Sequence, residues 1–380
     1  MANGPDATLI FPCCVPEGLA YAGAARERGE KIVAASSLAC DATAARFEIW
    51  FRLPSIYDGD FVRHLEGAVA KYDIARIYCP VSVAHVALSR LAREGKLSVP
   101  LVGEAPGRRY AREHRNLMEA AEAAHRLIQA ISDARSRLGV FEVAAVLRQS
   151  LGMPGESDEA KIAAMMAIFA DAPPGDIIEI GVLAGRTACV LAMMAQRHAA
   201  GAVLVVDPWN VAEALQKEST EDVRTAVENW DTEMQFESFI IGLLPVAARD
   251  RFNYLATSSA EAYRLWCEQK EVETAFFGAV RYSGSISVLH VDGNHDLACV
   301  SQDCAQWLPH MAPQGWLILD DYVSFHCDGP RRIGDALLTK HAEGVRRAFV
   351  CGKALFINLS GPESGRRLAS GLPRTGSNTT

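Results

Sequence analysis

Near the end of the chain, residues 346–352 read RRAFVCG and residues 353–360 read KALFINLS. Both runs are rich in β-branched and aromatic residues, and Gly352 permits a tight turn between them. They read as two strands joined at Gly352, closing a long alternation of strands and helices. Working backwards, residues 333–342 have a helical pattern and GWLILDDY (315–322) reads as a strand. A helix over 297–308 and a strand over ISVLHVDG (286–293) precede it. Before these come a helix over 260–269, a strand FNYLATS (252–258) and a mostly helical stretch over 211–230. A strand AVLVVDPW (202–209), a helix over 185–198 and a strand DIIEIG (176–181) begin the series. Strands alternating with helices imply a parallel α/β sheet with right-handed crossovers.

The N-terminal part alternates as well. ATLIFPCC (7–14), KIVAAS (31–36), IARIYCP (74–80) and LSVPLVG (97–103) read as strands, with helices over 17–28, 61–72 and 82–94 between them. This predicts a smaller Rossmann-like α/β domain over 1–107. Residues 108–151 are rich in Ala, Arg, Glu and Leu, and Gly152, Pro154 and Gly155 then punctuate the chain. A helical connector is expected over 108–155, the main domain over 156–360, and a disordered tail over 361–380, where Gly, Ser, Thr, Pro and Arg dominate. The first domain lacks a G-x-x-x-x-G-K-[ST] phosphate loop. Its nearest candidate for a ligand loop is PCCVPEG (12–18), for which a plain structural turn is the favoured reading. Holding part of a large acceptor and mediating assembly are both open to it.

Composition narrows the function. The 380 residues are 49 % hydrophobic and 22 % charged, enough for two cores. The net charge of −8 argues against a phosphate-tracking surface, so nucleic acid is not an expected partner. No apolar run approaches the ~20 residues of a membrane helix, and membrane insertion is not expected. The opening MANGPDATLIFPCC lacks a basic stretch followed by a long apolar one, so no secretion signal is expected. The ten cysteines include no C-x-x-C pair, which argues against a zinc cluster or disulfide framework and favours the reducing cytoplasm. A homo-oligomer is among the assemblies this composition allows.

The strand ending at Ile180 runs into a helix beginning near Arg186 through Glu179-Ile-Gly-Val-Leu-Ala-Gly-Arg-Thr187. Gly181 and Gly185 fall in the turn, where glycine lets a backbone approach a ligand. In an open α/β sheet, ligands bind beyond the carboxyl ends of the strands. A nucleoside-bearing cofactor is therefore expected across Glu179, Gly181, Gly185, Arg186 and Thr187, with a ligand-free turn as the competing reading. Asp207 ends the next strand, followed by Trp209, and is placed to accept hydrogen bonds from ribose hydroxyls. Ser258 and Ser259 follow the third strand, where contact with an adenine competes with capping of the next helix. The spacing G-x-x-x-G is not the dinucleotide fingerprint G-x-G-x-x-G, although an NAD(P)-dependent oxidoreductase on a similar sheet stays an alternative.

The densest chemistry lies in Leu289-His-Val-Asp-Gly-Asn-His-Asp296 and Trp316-Leu-Ile-Leu-Asp-Asp-Tyr322. Each is a strand running into polar residues at the edge of the sheet that carries the glycine turn. Asp292, Asp320 and Asp321 would repel one another there unless a cation compensates them. Oxygen ligands suit Mg²⁺, Mn²⁺ or Ca²⁺. His295 is the natural general base, with Asp296 and His326 as substitutes, and His290 inside its strand reads as a core or supporting residue. Helix caps and an exposed histidine are the competing reading.

The pattern D-G-x-H, then D-x-x-x-W-L-P-x-x-x-x-x-G-W-x-x-x-D-D-Y, resembles the metal-dependent sugar O-methyltransferases of natural-product biosynthesis, the macrocin and mycinamicin O-methyltransferases among them. The resemblance covers about residues 175–345. It implies a Rossmann-like class I methyltransferase domain, which ends in a helix and an antiparallel hairpin as 346–360 do. It further implies S-adenosylmethionine bound by Glu179, Gly181, Gly185, Arg186, Thr187, Asp207, Trp209, Ser258, Ser259 and Asp292. Mg²⁺ or Mn²⁺ on Asp292, Asp320 and Asp321 would lower the pKa of a sugar hydroxyl of a small-molecule or glycan acceptor, and His295 would take its proton. A non-catalytic module binding a sugar or a partner is the second alternative.

Overall fold

The computed structural model describes residues 7–132, 138–340, 342–361, 363–370 and 372. The chain divides into two compact units, Met1–Asn116 and Leu117–Thr380. Among the described residues, no helix is long and apolar enough to cross a membrane.

In the first unit the strands β1 (Ala7–Ile10), β2 (Ile32–Ser36), β3 (Trp50–Arg52), β4 (Ile74–Tyr78) and β5 (Leu101–Val102) form a parallel sheet in the order β3-β2-β1-β4-β5. Helices α1 (Pro16–Glu27), α2 (Phe61–Tyr72) and α3 (Ser82–Arg93) alternate with the strands. Leu9, Val33, Leu65, Ile77 and Leu88 are fully buried in its core. The sequence pattern missed β3, which is only three residues long and sits at the sheet edge, where little burial is needed to form a strand.

Helix α4 (Pro106–Ile131) crosses the division between the units, and α5 (Val140–Leu151) and α6 (Glu159–Ile168) follow. Ala121, Ala124, Ile128, Val143 and Leu147 lie in the same core cluster as α6 and the central sheet of the second unit. Helix α6 is absent from the sequence expectations. Asp158 caps it, accepting from the Lys161 amide at 2.7 Å, and every residue from Lys161 to Ile168 is buried. A helix apolar all round belongs in a core, where it shows no amphipathic stripe to read.

The second unit holds a sheet in the order β13-β14-β12-β11-β6-β7-β8. Its parallel strands are β6 (Asp176–Ile180), β7 (Val203–Val206), β8 (Phe252–Leu255), β11 (Ile286–Val291) and β12 (Met311–Leu319). β9 (Glu271–Thr274) and β10 (Gly278–Arg281) pair as a separate antiparallel ribbon. β14 (Ala354–Leu359) inserts antiparallel between β12 and β13 (Val345–Cys351). The helices are α7 (Arg186–His198), α8 (Val211–Ala214), α9 (Glu221–Glu228), α10 (Thr232–Leu243), α11 (Ser259–Gln269), α12 (Leu297–Trp307), α13 (Gly329–Lys340) and α14 (Ser364–Ser370). The helical stretch expected over 211–230 is broken between α8 and α9. The expected disordered tail contains α14, which buries Leu368 against the second apolar cluster of this unit; residues 362, 371 and 373–380 of that tail lie outside the described residues.

Strand order reverses at β6: the chain runs out through β7 and β8, then returns to lay β11 on the other side. The crevice between the carboxyl ends of β6 and β11 is the position where such sheets bind ligands. Register fixes what meets there. Ile180 pairs with Val291, and Val291 with Leu319, so Gly181, Asp292 and Asp320 leave the sheet side by side.

Candidate active site

A cavity of about 780 Å³ opens over these strand ends, lined among others by Gly181, Asp207, Ser258, Asp292, His295 and Asp321. Arg186, Thr187, Trp209, Ser259 and Asp320 also face it, whereas Glu179 and Gly185 are not among its lining residues.

The half of the cavity at the glycine turn is held by backbone amides. Asp207 accepts from Val182 N at 2.8 Å, Leu183 N at 3.1 Å and Trp209 N at 2.7 Å, so its carboxylate ties the glycine turn to the end of β7. Burial raises its pKa, and those three donors work against the rise. Trp209 Nε1 donates to Leu183 O at 2.8 Å, which locks the tryptophan against the same turn. Arg186 donates to Met153 O and Ser157 O and so anchors the segment before α6. Ser258 caps α11 through Glu261 N, and Ser259 Oγ accepts from Trp307 Nε1 at 3.1 Å.

The two glycines serve packing as well as the turn. A Cβ on Gly181, at φ 85°, would lie 2.0 Å from Asp292 O, so the close neighbour is the adjoining strand end. A Cβ on Gly185, at φ 92°, would meet Leu243, Met153 and Phe239 at 3.0 Å. Gly185 therefore makes room for core side chains rather than for a ligand. Glu179 is fully buried and sits 2.8 Å from His290 Nδ1, which makes it a partner of the strand histidine and not part of the cavity wall.

The chemical half is held by side chains. Lys161, 1 % exposed, reaches up from α6 and places Nζ 2.6 Å from Asp320 Oδ2 and 3.4 Å from Asp292 Oδ2. Burial opposes its charge, but Asp292 and Asp320 outweigh that and hold the ammonium above the ordinary lysine value. Burial likewise opposes the charge on Asp320, and Lys161 overrides it, holding that carboxyl well below the usual range. Asp292 is raised by burial and by the charge of Asp320, though 23 % of its side chain faces the open cavity, where water screens part of the effect. Asp321 turns elsewhere: Lys353 Nζ lies 2.9 Å from its Oδ1.

His295 stands between two carboxylates. Its Nε2 is 3.6 Å from Asp292 Oδ1 and its Nδ1 is 3.4 Å from Asp321 Oδ2, with Gln216 Nε2 3.3 Å from Nδ1. Burial disfavours the imidazolium, but Asp292, Cys327 and Asp321 prevail and push its pKa up to about 10. Asp296 is occupied in accepting from Lys217 N and Glu218 N, which pins the loop between α8 and α9. His326 is exposed on the cavity rim.

The expected trio of carboxylates thus splits. Asp292 and Asp320 share Lys161 and approach His290, while Asp321 gathers with His295 and Cys327. The fit to a cation rests on one atom. Asp320 Oδ1 is buried and has no hydrogen-bond partner among the described residues, and a buried carboxylate oxygen left bare is costly. It adjoins Asp292, so the oxygen donors present suit a hard divalent cation. Sequence reading missed Lys161 and Lys353. A lysine at the head of the apolar run IAAMMAI (162–168) was the available signal for the first, since a charge in a buried helix needs a partner.

A family model described as a methyltransferase domain matches residues 178–322. No curated protein matches the chain. Among solved structures, the O-methyltransferase NovP aligns at 13 % identity and TM-score 0.35, over 63 % of this chain and 99 % of that one. Cofactor-bound Rv0187 from MTB aligns at 14 % identity and TM-score 0.36, over 58 % of this chain and 89 % of that one. The MycE methyltransferase of the mycinamycin biosynthetic pathway, solved with Mg, SAH and mycinamycin VI, aligns at 12 % identity and TM-score 0.28, and the match spans 55 % of this chain and 48 % of that one. The matched residues 178–322 hold the glycine turn and the polar strand ends, so the site described above falls within the stretch that is similar to a methyltransferase domain.

Proposed function

We propose that the chain is an O-methyltransferase that moves the methyl group of S-adenosylmethionine to a sugar hydroxyl of a glycoside, glycan or natural product. The observation that carries this is one cavity of about 780 Å³ holding the Gly181 turn and Asp207 at one end and His295, Asp292 and Asp320 at the other. That volume lies within the ~300–1,000 Å³ range of small-molecule sites. In the transfer, the acceptor oxygen forms a bond to the methyl carbon as the carbon–sulfur bond breaks. The acceptor proton leaves, and a neutral thioether remains.

His295 is the residue placed to take that proton. Its Nδ1 side is occupied by Asp321 and Gln216, while Nε2 is buried without a hydrogen-bond partner among the described residues. An imidazole held on Nδ1, with Nε2 turned toward Asp292 Oδ1 at 3.6 Å, is oriented for proton transfer on the Asp292 side. Asp292 and Asp320 are the residues that would hold Mg²⁺ or Mn²⁺, which when bound would lower the pKa of the acceptor hydroxyl, while Asp321 stands apart from them beside His295 and Lys353. Asp207 and the turn at Gly181 that it ties down bind and orient the cofactor, and alignment of acceptor and methyl supplies much of the acceleration.

The test uses methyl-labelled S-adenosylmethionine and a panel of glycosides, with catechols and amines as controls. Label transferred to a sugar oxygen, abolished by EDTA and restored by Mg²⁺ or Mn²⁺, is the expected result. Transfer to the controls alone, or full activity in verified metal-free protein, overturns the corresponding part of the reading.

A further inference from the structure

A lysine with no surface exposure to speak of, set between two carboxylates, is an unusual neighbour for a divalent-cation site. Lys161 is on α6, outside the strand ends that carry the acidic residues, and its Nζ meets the Oδ2 atoms of both Asp292 and Asp320. Those contacts leave Asp320 Oδ1 bare and Asp292 Oδ1 facing His295. The ammonium therefore takes one oxygen from each member of the pair and cancels one of their two charges.

We infer that Lys161 is a resident cation of this site: it holds Asp292 and Asp320 in place when no divalent ion is bound, and it weakens their grip on one when it arrives. The inference rests on the reading of these two aspartates as the cation-facing pair. The physical ground is competition. A cation approaching Asp320 Oδ1 meets a carboxylate already compensated at 2.6 Å, and repulsion between the two cations is screened little in a buried setting. The site is then preorganised without metal, and the divalent ion binds with modest affinity. Lys161 is a positioning residue on this account, since it faces the carboxylates and does not line the cavity.

The experiment is a Mn²⁺ titration of the full chain, saturated with S-adenosylhomocysteine and read by electron paramagnetic resonance. The wild type is compared with Lys161→Met, Lys161→Gln and Lys161→Met/Asp320→Asn. Removing the ammonium should tighten Mn²⁺ binding by about tenfold or more, and adding Asp320→Asn should cancel the gain. A lysine that only supported the fold would not produce tighter binding. Lys161→Gln keeps a hydrogen-bond donor without the charge and serves if the methionine variant does not fold. Unchanged or weaker Mn²⁺ binding in the folded variants overturns the inference. No Mn²⁺ binding in any protein, with S-adenosylhomocysteine still bound, overturns instead the cation reading of the aspartates and this inference with it.

Discussion

The two ends of the cavity are built by opposite means. At the cofactor end, the carboxylate of Asp207 is fixed by three backbone amides within two short stretches of chain. At the chemical end, Asp292, Asp320 and Asp321 are fixed by Lys161, Lys353 and His295, side chains from three separate segments. Backbone donors come with the turn and survive most substitutions. Side-chain charges balance only as a set, so the chemical end is exposed to single changes that the cofactor end tolerates.

The sharpest test of that contrast is His295→Ala. A positioned base contributes ~10²- to 10⁴-fold, and turnover on a glycoside found in the panel should fall by that much with S-adenosylmethionine affinity nearly intact. More than about a third of wild-type turnover would remove His295 from the proton transfer. Its raised pKa also sets a sign. Without a cation beside it the imidazole holds its proton at neutral pH. Mg²⁺ on the neighbouring carboxylate of Asp292 would offset the charge that holds it, so the rate of the loaded enzyme should climb with pH and level off below about 10. In metal-free protein, the stability that this charge contributes is complete below the unfolded value near ~6.5 and is lost as pH rises through about 10. A His295 ring already neutral at about pH 8 in metal-free protein, read by nuclear magnetic resonance, would contradict that state of the imidazole.

Asp320→Ala strands the buried Lys161 ammonium with only the longer contact to Asp292. Breaking a buried pair from one side costs ~3–5 kcal/mol, and calorimetry should show a much lower melting temperature, partly recovered in Asp320→Ala/Lys161→Met. An unchanged melting temperature would mean that the side-chain network carries no stability.

Asp207→Ala tests the other end. Hydrogen bonds to charged groups are worth ~1.5–3 kcal/mol, so affinity for S-adenosylmethionine should weaken by roughly ten- to 150-fold. Affinity equal to the wild type would confine Asp207 to tying the turn. The smallest effect is expected of Ser258→Ala. Loss of a helix cap costs ~0.5–2 kcal/mol, and cofactor affinity should move less than about twofold if the serine only caps α11. A large loss of affinity would make Ser258 a cofactor contact.

The strand ends were legible because strands and turns are local. The runs ending at Ile180, Val206, Val291 and Leu319 announced themselves by composition, and the polar residues after them followed directly. Gly181 was found for an incomplete reason: its missing Cβ clears the backbone of Asp292, 111 positions later in the chain than the turn that seemed to need it. Glu179 read as a cofactor contact because the motif places it beside the glycine, yet strand register turns it toward His290. Helix α6 and its lysine were invisible to periodicity, because a helix buried on all sides carries no stripe.

The sequence by itself determined the alternation of strands and helices, the closing strand pair, and the acidic and histidine residues at the strand ends. All of these depend on residues within a few positions of one another. Only the tertiary structure decided that Asp321 pairs with Lys353 rather than joining Asp292 and Asp320, that Asp207 is tied to the glycine turn, and that an ammonium from α6 stands between two carboxylates. Charge neighbours are set by where strands and helices pack. A lysine 131 residues from Asp292 and 159 from Asp320 becomes their partner only once the sheet and α6 have brought the three into one buried place.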